Sequence, residues 1–87
     1  MEIYKGDLIG QWKRADNGVV YYFISENTLL ICTEKKDIAF SYSIETKNRE
    51  SELIIDKSRF TVIVYRPKIL FSLMVKGSVV DFNYLSD

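Results

Sequence analysis

Short runs of apolar, β-branched and aromatic residues recur about every ten residues along the chain, separated by short polar breaks. Such runs are typical of β-strands bounded by turns. Eight are present: LIGQWKR (8–14), VVYYFI (19–24), TLLICTE (28–34), IAFSYSI (38–44), ELIID (52–56), RFTVIVY (59–65), ILFSLMV (69–75) and SVVDFNYL (78–85). The breaks are too short for the crossovers that parallel strands need, about a dozen residues or more. The pattern therefore predicts an antiparallel meander.

The breaks contain residues that favour turns. Asn17-Gly18 and Gly77 tolerate the positive φ angles of tight hairpins, and Pro67 lies where no ladder hydrogen bond is needed. Residues 45–50 form the longest break and carry four charges, so we expect the most mobile loop there. No helical period is sustained, and at most residues 2–7 form a short turn before the first strand.

Most runs have one apolar face. Along 38–44 the residues Ile38, Phe40, Tyr42 and Ile44 alternate with smaller residues, which is typical of a strand with one buried and one wet face. The run at 19–24 is apolar on both faces and requires a second covering surface. Eight such strands favour a small up-and-down antiparallel barrel as one domain over residues 1–87. The alternative is a two-layer β-sandwich.

A barrel removes the exposed sheet edges that invite aggregation. An eight-stranded interior is wide enough for side chains to fill or for one small ligand. The chain has six Tyr, five Phe and one Trp, and such residues bury much apolar area in a small core. We therefore expect a mostly filled interior.

Gly10 and Trp12 lie on one face at the start of the first predicted strand, within DLIGQWKR. This Gly-x-Trp, followed by a glycine-containing turn and an eight-strand meander, resembles the lipocalin and calycin superfamily, especially compact bacterial lipocalin-like domains. The resemblance implies that Trp12 packs across the barrel floor and that Gly10 lets the strand bend. It also implies a basic residue stacked on the indole, for which Lys76 and Arg14 are candidates, and an apolar ligand inside the barrel.

Two sets of residues are candidates for binding. The inward set would line a cavity for a small hydrophobic ligand: Trp12, Phe40, Tyr42, Phe71 and Phe82. The outward set is apolar on the other face and would form an interface with a protein partner or in a homodimer, since exposed apolar patches usually mark interfaces. Its members are Val20, Tyr22, Ile63, Tyr65, Leu70 and Met74.

Residues suited to catalysis are scarce. The chain has no histidine, the commonest general base and metal ligand. The single thiol, Cys32, has no histidine to activate it, and Asp81 is the only carboxylate in the middle of an apolar strand run. No phosphate-binding glycine loop or metal-ligand spacing occurs. The expectation is a protein that is not an enzyme and uses no cofactor or metal.

Charge gives no basis for steering toward nucleic acid or an anionic membrane, because twelve basic residues balance twelve acidic ones. No apolar run approaches the roughly 20 residues that span a bilayer. We expect no nucleic acid partner, no membrane insertion and a cytoplasmic location by default, or export if a leader has been removed. Two functions stay open: binding a small hydrophobic ligand, or binding a protein through the outer face, as an inhibitor, immunity-type protein or self-associating subunit does.

Overall fold

The structure, a computed structural model, describes residue 3 and residues 5–87. A single-turn 3-10 helix, Lys5–Leu8, precedes eight strands. They are β1 (Gly10–Arg14), β2 (Val20–Phe23), β3 (Thr28–Cys32), β4 (Asp37–Lys47), β5 (Glu50–Ile55), β6 (Ser58–Arg66), β7 (Leu70–Val75) and β8 (Ser78–Ser86). Residues 2 and 4 of the predicted first turn lie outside the described residues.

The strands form one closed antiparallel barrel in sequence order, and β8 pairs with β1 to complete it. This confirms the predicted meander barrel over the two-layer sandwich. Turns alternate between two ends of the barrel. The helix end carries the 3-10 helix and the turns after β2, β4 and β6. The far end carries the turns after β1, β3, β5 and β7.

Inward positions follow the predicted alternation on most strands. Val62 and Val64 of β6, with Val80 and Phe82 of β8, are buried, while Asp81 and Asn83 between them are exposed. Ile38 is an exception, since it lies near the far-end rim and is 37% exposed. The core is therefore a single cluster inside the barrel.

The prediction of a mobile loop at residues 45–50 is wrong. Residues up to Lys47 belong to β4, and β5 begins at Glu50, which leaves a two-residue turn of Asn48 and Arg49. Both turn residues have positive φ, 53° and 67°, as a type I′ hairpin requires. Charges on exposed strand positions had concealed the strand, because solvent-facing ladder residues need not be apolar.

The first strand begins later than predicted. Leu8 lies at the end of the 3-10 helix, and the ladder starts at Gly10. Leu8 is nevertheless fully buried, and its carbonyl accepts the indole N–H of Trp12 at 2.8 Å. Leu8, with which the predicted strand began, therefore anchors the 3-10 helix to the core instead.

Candidate functional site

The predicted ligand-binding residues lie inside the barrel. Trp12, Phe71 and Phe82 have no exposed surface, and Tyr42 is 5% exposed. Phe40 is half-buried and packs against the same cluster nearer the far end. The structure thus brings four of the five together in the core and leaves Phe40 at its edge.

Ring-to-ring contacts fill the middle of this interior. Phe71 meets Trp12 edge-on at 4.6 Å and stacks on Phe82 at 4.7 Å between centroids. Phe23, which the sequence interpretation did not single out, lies 5.0 Å from Tyr42 and 6.2 Å from Phe71. Its run is apolar on both faces, so the pattern could not show which residues point inward. The predicted ligand-lining side chains are mostly one another's packing partners.

The last strand places Tyr84, not a basic residue, against the indole. Tyr84 lies opposite Trp12 in the β1–β8 register and meets it edge-on at 5.1 Å. The ammonium group of Lys68 lies over the ring of Tyr84, with Nζ 5.2 Å from the ring centroid. The expectation for Arg14 is wrong, because its guanidinium binds Asp16 and the Tyr21 hydroxyl. Lys76 lies in the far-end turn after β7.

Gly10 makes room for Tyr84 rather than for the indole. Its φ of +127° is unfavourable for residues with a side chain, and a Cβ there would lie 2.8 Å from Cε1 of Tyr84 and 2.9 Å from the Ser86 carbonyl oxygen. The β1–β8 register shifts between Gln11 and Trp12. The irregularity of the β1–β8 ladder thus lies just after Gly10, where the barrel closes.

Half-buried inward side chains line the far end. They pack against the core from its rim: Tyr21, Ile31, Phe40, Phe60 and Val75. Arg14 lies beside them and donates to the Tyr21 hydroxyl at 3.3 Å and to Asp16 at 2.6 Å. The bond to Asp16 raises the pKa of Arg14 and lowers that of Asp16.

A groove of about 550 Å³ adjoins this end, between the turns after β1 and β3. Asn17, Gly18 and Val19 form one side, and residues 32–35 form the other. The size suits a small molecule. Cys32 is among its lining residues, and burial, followed by the charge of Asp37, raises the pKa of Cys32. Since the thiolate is the reactive form, this environment disfavours a nucleophilic role.

The predicted interface residues fall on two separate outer surfaces. Val20 and Tyr22 of β2 lie opposite Cys32 and Leu30 of β3, and all four are half-buried. The other four residues lie on β6 and β7, which are four and three strands away from β2 around the closed barrel. They therefore cannot form one continuous interface.

The β6–β8 patch, as we name the second surface, combines Ile63, Tyr65, Leu70 and Met74 with Val79 of β8, which the sequence interpretation missed. Tyr65 and Val79 are 51% and 55% exposed, and Met74 lies opposite Val79. The sequence does contain a signal for Val79. Val79 and Val80 are adjacent apolar residues of one strand, so only one of them can face inward and the other must face outward.

Ser72 and Asp81 lie at the centre of the β6–β8 patch. Ser72 faces outward between Ile63 and Asp81, yet is only 1% exposed because its neighbours cover it. Its hydroxyl donates to Oδ1 of Asp81 at 2.5 Å. Asp81 itself is exposed. The β6–β8 patch thus presents one carboxylate among its apolar side chains, with Ser72 directly opposite it.

Metal ligands do not cluster in the part of the chain that the structure covers: no three His, Cys, Asp or Glu side chains there are placed to hold an ion. Over the same residues, no helix is long and apolar enough to cross a bilayer.

Comparisons with protein-family models, curated proteins and solved structures yield no match for this chain. The lipocalin relationship, and every function that depends on it, stays a prediction.

Proposed function

We propose that this chain is a non-catalytic interaction module that binds a partner protein through the β6–β8 patch. One contrast carries the proposal: aromatic rings pack against one another in the middle of the interior, while Ile63, Tyr65 and Val79 leave 40–55% of their surface in water. Burying such side chains releases about 25 cal/mol per Å² of apolar surface, so they favour association.

The charge in the patch defines the partner's chemistry. Oδ1 of Asp81 accepts the Ser72 hydroxyl, and a carboxylate has further acceptor sites. A complementary surface is apolar and presents one Lys or Arg to Asp81, because a charge-assisted bond there becomes stronger once water is excluded. Tyr65 is the natural anchor, since tyrosines are common among the residues that dominate interface energies.

The test is partner capture followed by reconstitution. A protein captured by the wild-type chain is purified, and its affinity is measured by calorimetry against Tyr65→Ser and Asp81→Asn. Ser43→Ala on β4 is the matched control. We expect about tenfold or greater weakening for each patch variant and none for the control. Equal affinity of all four chains, or no captured protein that binds again when purified, would contradict the proposal.

A second candidate function is binding of a small hydrophobic ligand. Half-buried Tyr21, Phe40 and Phe60 at the far end favour it, since a ligand can add to this rim without displacing the packed centre. The lipocalin resemblance supports it as well. The test is emission of the single tryptophan with hydrophobic probes and native mass spectrometry of the purified chain. A saturable change in emission that Phe60→Ser abolishes would support it, and unchanged emission with no retained ligand would exclude it.

A further inference from the structure

The two halves of β4 pair on opposite sides. Asp37–Ser41 pairs with β3, whereas Tyr42–Lys47 pairs with β5. Beyond Ser41, therefore, none of the described strands lies on the β3 side of β4. We call residues 43–47 on that side the β4 edge.

Backbone groups of two residues point out from the β4 edge. The amide of Tyr42 donates to the Asn27 carbonyl at 3.1 Å, so Tyr42 directs its backbone groups toward β3. Since successive residues of a strand point their backbone groups to opposite sides, Ile44 and Thr46 face the same way as Tyr42. Within residue 3 and residues 5–87, neither has a backbone partner there. Thr46 is exposed and Ile44 is half-buried.

We propose that the β4 edge binds the β4 edge of a second copy of this chain, antiparallel, with the two-fold axis at Glu45. Ile44 then lies opposite Thr46 of the second copy, and Thr46 opposite its Ile44. Each of these pairs exchanges both N–H···O bonds, as hydrogen-bonded pairs of antiparallel strands do. The same surface meets itself, as a two-fold interface requires.

In this register, opposite charges lie diagonal to each other on both sides of the two-fold axis. Ser43, Glu45 and Lys47 point outward, and Lys47 lies diagonal to Glu45 of the second copy, within reach of a long side chain. The two Glu45 carboxylates meet near the axis, where each already accepts a hydrogen bond from its own Arg59 at 2.8 Å. The chain's net charge of zero adds no long-range repulsion.

The length of the β4 edge also fits. The turn after β2 blocks it at Tyr42, whose amide donates to the Asn27 carbonyl. At the other end, the chain leaves the edge at the two-residue turn of Asn48 and Arg49. The second copy's strand therefore turns away just where the turn after β2 would obstruct it.

This interface goes beyond the proposed function, because it uses β4 and not the β6–β8 patch. Either can fail while the other holds. Five residues on each copy bury less than the roughly 800 Å² per partner of a standard interface, so we expect a weak, concentration-dependent dimer.

The test is Thr46→Pro against Thr46→Ala, by sedimentation velocity over a concentration series. Proline removes the Thr46 N–H, which has no ladder partner among the described residues of one copy. The φ of proline suits an edge strand. Alanine keeps the N–H and, like proline, loses the hydroxyl contact with Ser51. We expect about tenfold or greater weakening of dimerisation for proline and less than about threefold for alanine.

A second measurement covers the case in which Thr46→Pro does not fold. In the wild-type chain, hydrogen exchange at the Ile44 and Thr46 amides should slow as concentration rises, while exchange at other exposed amides stays constant. A wild-type chain that is monomeric at millimolar concentration would overturn the proposal. So would a dimer that proline leaves intact, or exchange at these amides that is independent of concentration.

Discussion

The ring of Tyr84 occupies the space that a side chain at Gly10 would need, with Cε1 only 2.8 Å from the position of a Cβ. Tyr84 in turn packs against Trp12, whose indole N–H binds the Leu8 carbonyl. The first and last strands are thereby fitted together at the point where the barrel closes. This contact explains why a glycine stands two residues before the tryptophan.

Gly10→Ala should therefore destabilise the fold by on the order of 2–4 kcal/mol, through backbone strain at φ +127° and overpacking against Tyr84. Urea unfolding measures the loss. Gly77→Ala separates the two causes, because Gly77 has φ +82° but nothing within 4 Å of a Cβ. We expect a smaller loss there, and almost none for Gly6→Ala. Equal losses at positions 10 and 77 would rule out the Tyr84 collision.

Phe71→Ala should cost about 3–5 kcal/mol, because the ring is fully buried and contacts Trp12, Phe23 and Phe82. Denaturant unfolding, followed by tryptophan emission, measures the free energy. Phe60→Ala at the far-end rim is the control, and its half-buried ring predicts a clearly smaller loss. Comparable values for the two would show that the ring cluster is not the main core.

Stability should fall as pH rises from about 10 to about 12 because of Tyr42. Burial, together with the charge of Glu26, raises the pKa of Tyr42 to about 12. The folded state thus retains a proton that the unfolded state loses above about pH 10. The stability contributed by the neutral phenol is fully present below pH 10 and disappears as pH passes 12.

Thermal unfolding of the wild-type chain and Tyr42→Phe across pH 9–12 tests this assignment. The variant loses the bond from the hydroxyl to the Ser25 carbonyl at every pH, so its starting stability is lower. Its decline above pH 10 should also be shallower. Parallel curves would assign the alkaline decline to other groups.

Arg49→Gly should stabilise the protein by about 0.5–1 kcal/mol. Arg49 has φ 67° in the turn after β4, and asparagine followed by glycine is a preferred type I′ pair. The gain from relieving strain exceeds the entropy that glycine loses on folding. In the turn after β5, Asp56 has positive φ but Lys57 does not, so Lys57→Gly should give no gain. Urea unfolding of both variants checks the contrast.

The barrel could be predicted because its strands alternate cleanly and its turns are short. Phe71 and Phe82 reveal their inward face through period two alone. Sequence reasoning failed where that signal is ambiguous or masked. Charges at Glu45 and Lys47 concealed the end of β4, because an exposed strand position can hold any soluble side chain. The double-sided run at 19–24 concealed Phe23.

The candidate sites were less predictable, because surfaces depend on the order of strands around the barrel. The six predicted interface residues share an outward face, yet β2 and β6 lie on opposite walls. Val79 joins the β6–β8 patch only through its register with Met74. The partner of the indole also depends on register, since Tyr84 carries no sequence signal that links it to Trp12.

Pairing of the first strand with the last gives the fold a particular order of assembly during translation. Residues such as Trp12 emerge from the ribosome about seventy residues before Tyr84, which lies opposite in the ladder. Until β8 is synthesised, β1 lacks one neighbour and the indole lacks part of its cover. The nascent barrel stays open along the unpaired edge of β1. A chaperone or a wrongly paired strand can bind most easily at that edge.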